Sequence, residues 1–260
     1  MMPLSSGSAS PSPLPSTVFT WDALPVQPTA AGERRAITDG PTATFRRFEC
    51  HVTTLNGGLA SHAPHRHPQE ELILIKEGRF AISVNGHEQE VGPGSLVFFA
   101  SGDLHAMRNA GETPGTYFVF MFFTGDTDTA GQSRMAAAPA PTSAQSRVID
   151  WADLPVITTP KGFRREFFKS GTVTCRDFSV HATTLRGGEA AHAAHRHGDE
   201  EIIVVKDGTI ETTINGRAHT AGPGSIFFFA SHDEHGLRNA GTTEGTYYVL
   251  RMITDQTPAD

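Results

Sequence analysis

His65, His67 and Glu71 are spaced so that two imidazoles and a carboxylate fall on one side of an extended chain, since residues two apart on a strand share a face. The stretch His65-Arg66-His67-Pro68-Gln69-Glu70-Glu71 runs into Leu72-Ile73-Leu74-Ile75, and the same parity adds Ile73 and Ile75 to that face. Neutral imidazole nitrogen and ionised carboxylate oxygen are both good ligands for divalent first-row metals. Beyond Gly92-Pro93-Gly94-Ser95, His105 is the natural fourth ligand, and Asn109 follows it. Four protein ligands on a six-coordinate ion leave two positions. These can take water, a bidentate oxyacid, or a substrate oxygen beside dioxygen.

The whole arrangement recurs 130 residues later as His195, His197, Glu201 and His235, with Gly222-Pro223-Gly224-Ser225 and Asn239 in the corresponding places. Ten of the 13 histidines pair at this spacing, and only His87, His219 and His232 do not. About half the aligned positions are identical, so idle histidines would have been lost from one copy or the other. One metal ion per half is the expectation.

Other recurring polar residues have a function to be weighed against a structural role. His62 and His192, three residues before the first ligand, are weak candidates for a proton shuttle at a cavity mouth, or are rim residues. His51 and His181 are weak candidates for a substrate contact, or bond to a carbonyl inside a strand. Arg66, Arg196, Glu70 and Glu200 have the opposite parity to the ligands and read as structural ion pairs. Arg108 and Arg238 are placed by parity on the side away from the metal. Phe98-Phe99, Phe227-Phe228-Phe229 and the run from Phe118 to Phe123 read as core.

A net charge of −7 argues against nucleic-acid partners and anionic membranes, whose affinity comes from clustered Lys and Arg. No segment reaches the roughly 18 apolar residues of a membrane span, and the Ser/Pro-rich start lacks the basic and apolar regions of a signal peptide. A cytoplasmic protein is expected. Two cysteines, Cys50 and Cys175, do not correspond in the repeat and read as buried thiols in strands rather than a disulfide.

The elements that must position the ligands are short apolar runs separated by Gly, Pro and Asn: residues 42–55, 72–76, 80–84, 95–100 and 116–123, each with its later equivalent. Asn85-Gly86 and Asn215-Gly216 are hairpin signals, because both central residues of that turn need positive φ. No long 3.6-residue period appears, so each half is expected to form a closed antiparallel β sandwich or barrel. The expected organisation is a flexible tail over 1–17, one domain over 18–124, a linker over 125–146 and a second domain over 147–255. A short helix at 133–138 is a weak feature of the linker.

On these residues each half resembles a cupin, and the whole resembles a bicupin. The family's first motif is matched by His65, His67, Glu71 and Gly78, and by His195, His197, Glu201 and Gly208. Its second motif is matched at Gly94, Gly102, His105 and Asn109, and at Gly224, His235 and Asn239. The motif's proline is replaced by Ala100 and Ala230, and its next glycine by His232 in the second half.

The resemblance implies an all-β fold of two tandem jelly-roll barrels, each holding a metal through three histidines and a glutamate, and pairing of copies through their sheets as a homodimer. Iron or manganese is favoured, with zinc, nickel and copper as alternatives. The leading functional expectation is a metal-dependent oxidoreductase of the dioxygenase kind, acting on a small oxygenated organic molecule. One alternative is a non-redox bicupin, a hydrolase similar to ureidoglycine aminohydrolase or an isomerase. The other is a non-catalytic protein that binds metal or a small ligand.

Overall fold

The computed structural model describes residues 11–125 and 144–260. The short helix expected at 133–138 lies outside them. Strands dominate: β1 (Thr17–Phe19), β2 (Val26–Thr29), β3 (Gly32–Gly40), β4 (Arg47–Leu55), β5 (Glu70–Glu77), β6 (Phe80–Val84), β7 (His87–Val91), β8 (Leu96–Phe99), β9 (His105–Asn109) and β10 (Gly115–Phe123) come from the first half. The second half repeats them as β11 (Arg147–Ile149), β12 (Ile157–Thr159), β13 (Gly162–Ser170), β14 (Asp177–Leu185), β15 (Glu200–Asp207), β16 (Ile210–Ile214), β17 (Arg217–Ala221), β18 (Ile226–Phe229), β19 (His235–Asn239) and β20 (Gly245–Ile253). No described helix is long and apolar enough to cross a membrane.

Each barrel sets a seven-stranded sheet against a three-stranded one. The first pairs β11-β8-β5-β10-β4-β3-β2 with β7-β6-β9, and the second pairs β1-β18-β15-β20-β14-β13-β12 with β17-β16-β19. The opening arms cross over. Strand β1 joins the edge of the second barrel's large sheet, with Thr17 opposite Phe228, and β11 joins the first's, with Arg147 opposite Phe98. Ser16, assigned by composition to the flexible tail, belongs to this crossing: its Oγ donates to Asp233 and accepts from the Ala230 N–H.

The arms end in matching sockets. The Trp21 N–H donates to Ser225 Oγ, and the Trp21 ring lies over Gly224, where an added Cβ would come within 2.5 Å of it. Trp151 does the same with Ser95 and Gly94. The Gly-Pro-Gly-Ser stretches therefore receive the other half's tryptophan.

The central strands of the large sheets are buried on both faces, which explains their nearly unbroken apolar runs. In β5, Leu72 and Leu74 face the core between the two large sheets, whereas Ile73 and Ile75 face the barrel interior. Between the sheets Phe48 stacks on Phe228 at 6.1 Å, and Phe122 meets Phe178 edge-on at 5.4 Å. Burying aromatic surface of this size contributes about 2 kcal/mol per side chain before conformational entropy is counted.

The hairpin signals hold: Asn85 and Gly86 take φ of 49° and 87°, and Val84 faces His87 across the turn. The run expected over 42–55 becomes a strand only at Arg47. Thr42 to Phe45 form a turn, closed by the Thr42 N–H to the Phe45 carbonyl, for a reason that emerges at Glu200. Cys50 is buried in β4, but Cys175, also buried, sits in a turn rather than a strand. Burial pushes both thiols well above their usual range, which leaves them unreactive.

Candidate metal centres

His65 and His67 do not reach the site by strand parity. Strand β5 begins at Glu70, so of the first three expected ligands only Glu71 is a strand residue. His65 forms an isolated antiparallel bridge with His105, each N–H donating to the other's carbonyl at 3.0 Å. The chain then turns through Pro68-Gln69, and the His67 Nδ1 donates to the Gln69 carbonyl at 2.9 Å. The second barrel repeats this, with His195 bridged to His235 and the His197 Nδ1 donating to the Asp199 carbonyl.

All eight expected ligands come together, four in each barrel. The Nδ1 and Nε2 atoms of His65, His67 and His105 supply one ligand atom each within 4.8 Å of one another, as do those of His195, His197 and His235. Glu71 Oε2 lies 3.1 Å from His67 Nε2 and 3.4 Å from His105 Nε2, and Glu201 Oε2 lies 3.3 and 3.4 Å from the corresponding atoms. Each cluster grades from an exposed first histidine to a deeply buried third one.

The remaining partners fix the rings. A carbonyl can only accept, so Nδ1 carries the proton in His65 (to Ala63), His67 (to Gln69) and His105 (to Asp103). Neutral rings in that tautomer aim bare Nε2 lone pairs inward. Phe99 stacks flat on His105 at 4.2 Å, and Phe229 on His235 at the same distance, so water is kept from the inner side of each cluster. His105 Nε2 and His235 Nε2 are buried and have no hydrogen-bond partner. A buried ring nitrogen left bare beside a carboxylate fits a metal ion.

Burial alone would push the Glu71 carboxyl up, but the facing rings of His105 and His67 reverse this and hold it at about 2. The Glu201 carboxyl is likewise held at about 2 by His197 and His235. Burial lowers His65 and His195, favouring the neutral ligand form. His197 differs: the Asp199 carboxylate, aided by Glu201, raises it to about 10, so an ion entering here displaces a proton.

The weak candidates line the same cavities. His51 and His62 face a cavity of about 550 Å³ around the first cluster, and His181 and His192 one of about 680 Å³ around the second. His62 meets His65 edge-on at 5.2 Å, and His192 meets His195 at 4.4 Å. His51 Nδ1 lies 3.3 Å from Glu49, whereas burial and Arg164 lower His181 to about 4.

The ion pairs expected of Glu70 and Glu200 are absent. Both point away from the metal, as parity requires, but into the core between the sheets. Glu70 accepts from the Thr172 hydroxyl (2.6 Å) and the Val173 and Thr174 N–H groups. Glu200 accepts from the Thr42 and Thr44 hydroxyls (both 2.6 Å) and the Ala43 N–H. Each holds a turn of the opposite half, which is why Thr42 to Phe45 is not strand. Arg66 donates to the Gly102 carbonyl, and Arg196 pairs with Glu234 at 3.5 Å. Arg108 and Arg238 pair outside the barrels with Glu88 and Glu211. The motif asparagines hold loops: Asn109 donates to the Leu55 and Thr113 carbonyls and accepts from Gly111, and Asn239 repeats this.

Among the cavity residues that the sequence reading did not single out are Glu49, Tyr117, Lys161, Tyr247 and Arg251. The signal for Glu49 was its shared parity with His51. For Arg251 it was a single charge in the otherwise apolar run of β20.

A model of the Cupin domain matches residues 51–121 and 182–251, more than half the chain. An L-ectoine synthase from Bordetella avium is 33% identical over 87 residues, which is 32% of this chain and 66% of that enzyme, so the chain spans just under two thirds of the relative's length. The crystal structure of Ylba from E. coli superposes with a TM-score of 0.70 at 12% identity, covering 95% of this chain and 93% of the other. A Bacillus subtilis oxalate decarboxylase described with Mn(II) centres superposes with a TM-score of 0.66 at 14% identity, covering 94% and 79%. At such identities the structural likeness speaks for the fold.

Proposed function

The chain belongs to the cupin family, and from that premise we propose that it is a metal-dependent enzyme acting on a small oxygenated organic molecule. One divalent transition-metal ion is held in each barrel, by His65, His67, Glu71 and His105 in the first and by His195, His197, Glu201 and His235 in the second. The observation that carries this reading is the pair of buried, unpartnered nitrogens, His105 Nε2 and His235 Nε2, each facing a carboxylate in a cavity open to solvent. Bound there, the ion supplies Lewis acidity and, if iron or manganese, one-electron chemistry. The Mn(II) centres of the oxalate decarboxylase support manganese.

The chain's own groups do the rest. Carbonyl partners hold the rings in one tautomer, the glutamate offsets one of the ion's two charges, and Phe99 and Phe229 exclude water from the inner side. We assign His62 and His192, which line the cavities beside the first histidine of each cluster, to moving a proton at the mouth, and His51 and His181 to contacting the substrate. An oxidoreductase of the dioxygenase kind is the first finer reading. A non-redox reaction, in which the ion only polarises a substrate oxygen, is the second, favoured by the similarity to L-ectoine synthase.

Elemental analysis of protein purified without added metal tests the common part, with two equivalents of a transition metal expected. An oxygen electrode with a panel of oxyacids, catechols and flavonoids then divides the readings. Oxygen uptake supports the first, and metal-dependent turnover without uptake supports the second. Metal-free protein, or ligand binding without any product, would overturn the enzyme reading.

A further inference from the structure

The two barrels share their ligands but not their walls. Beside the metal carboxylate, in register across the sheet, Met121 faces Glu71 in the first barrel and Arg251 faces Glu201 in the second. Two residues after the second histidine ligand stands Gln69 in one barrel and Asp199 in the other. Buried Asp199 takes the Nε and Nη2 groups of Arg251 on its two oxygens. That leaves the Nη1 edge of a half-exposed guanidinium, which lines the cavity, for a second acceptor. Lys161 replaces Ala31 at the mouth and is pinned there by donating to the Ala190 and Ala191 carbonyls.

The charge balance follows. The first cavity is lined by one cation, Arg34, already paired with Glu49 at 3.0 Å, against the two carboxylates Glu49 and Glu71. The second is lined by four cations, Lys161, Arg164, Arg196 and Arg251, against the two carboxylates Glu201 and Asp260. Arg164 and Arg196 point to partners outside the cavity, Glu166 and Glu234, which leaves Arg251 and Lys161 as the groups available to a guest.

We propose that the second barrel takes a small organic carboxylate, received by Arg251 and Lys161, and that the first barrel does not. This names the substrate class of one of the two sites, and it rests on the metal-enzyme reading for what happens to that guest. Arg251 and Lys161 here are binding residues whose effect exists without an ion.

The test therefore uses the full chain stripped of metal by a chelator, with malonate as the probe, titrated by calorimetry and by NMR. One malonate site is expected. The double exchange D199Q/R251M, which gives the second barrel the first barrel's pair, should weaken it about tenfold, the loss of one charge-assisted bidentate contact. Lys161→Met, far from the buried Asp199, should weaken it severalfold with the fold intact. The reciprocal Q69D/M121R should create a second site. Two equivalent sites, no malonate binding, or unchanged affinity in both D199Q/R251M and Lys161→Met would overturn the proposal. Zinc titration of the same samples separates the two ideas: zinc without malonate selectivity sinks this one alone, and selective malonate binding without zinc sinks the metal reading alone.

Discussion

A histidine serves a metal from the ring nitrogen that carries no proton, and carbonyl partners determine which nitrogen that is. His65, His67, His105 and His235 all give Nδ1–H to a backbone oxygen, so their Nε2 atoms are ready before any ion arrives, whereas His197, which does the same, must first lose its second proton. Exchange of Glu71 for alanine is expected to lower metal content from two equivalents to about one by elemental analysis. Equal loss from both barrels would show that the sites are not independent. In metal-free protein, Glu71 and Glu201 are held at about 2, below their usual 4.5. Their contribution is full above 4.5 and is lost as pH falls through that value towards 2. The urea midpoint should therefore drop across that window, and less steeply in Glu71→Gln. His232 stands where the first barrel has Gly102, and both adopt positive φ, 64° and 79°. The left-handed backbone costs a side chain about 1 kcal/mol, so His232→Gly should raise stability by about that much in urea unfolding. At this scale the side chains that converge were legible from type, spacing and recurrence. The reason they converge was not, because a bridge between His65 and His105 depends on a partner 40 residues away.

Strands carry the ligands only in part, and the loops between them do the aiming. The apolar runs β5, β8 and β10 could be read because burial on two faces leaves an unbroken apolar signature. Strands β3 and β7, Gly-Glu-Arg-Arg-Ala-Ile-Thr-Asp-Gly and His-Glu-Gln-Glu-Val, escaped because each is mostly polar and gives the core little more than one apolar side chain, Ile37 and Val91. Glu70 and Glu200 show the limit of parity: it gave their direction correctly but not their partner, which is a turn of the other repeat. Removing Glu200 as alanine leaves two hydroxyls and an N–H without an acceptor in the core. A loss of about 3 kcal/mol is expected in urea unfolding, with Glu70→Ala similar. A loss below 0.5 kcal/mol in both would show that the turns are held by other contacts.

The molecule as a whole is tied together by exchange. The duplication was plain in the sequence, but the crossing of β1 and β11 was not, since three-residue strands say nothing about which of two equivalent sheet edges they join. If the contacts between the halves are sufficient, a chain cut between residues 125 and 144 should still behave as one particle, its two fragments co-eluting on size exclusion and retaining both ions. Separation of the fragments under native conditions would mean that covalent continuity, not the shared core, holds them.

Ser146, on the arm of the second half, donates to Asp103, whose carbonyl orients His105, and Ser16 plays the same part for Asp233 and His235. A lone barrel thus has an arm with no place on its own sheet, and its innermost ligand lacks a brace. Two such units facing each other mend both defects at once. A half released from its neighbour is therefore expected to pair with a second copy of itself, each lending the other the arm and the serine it lacks.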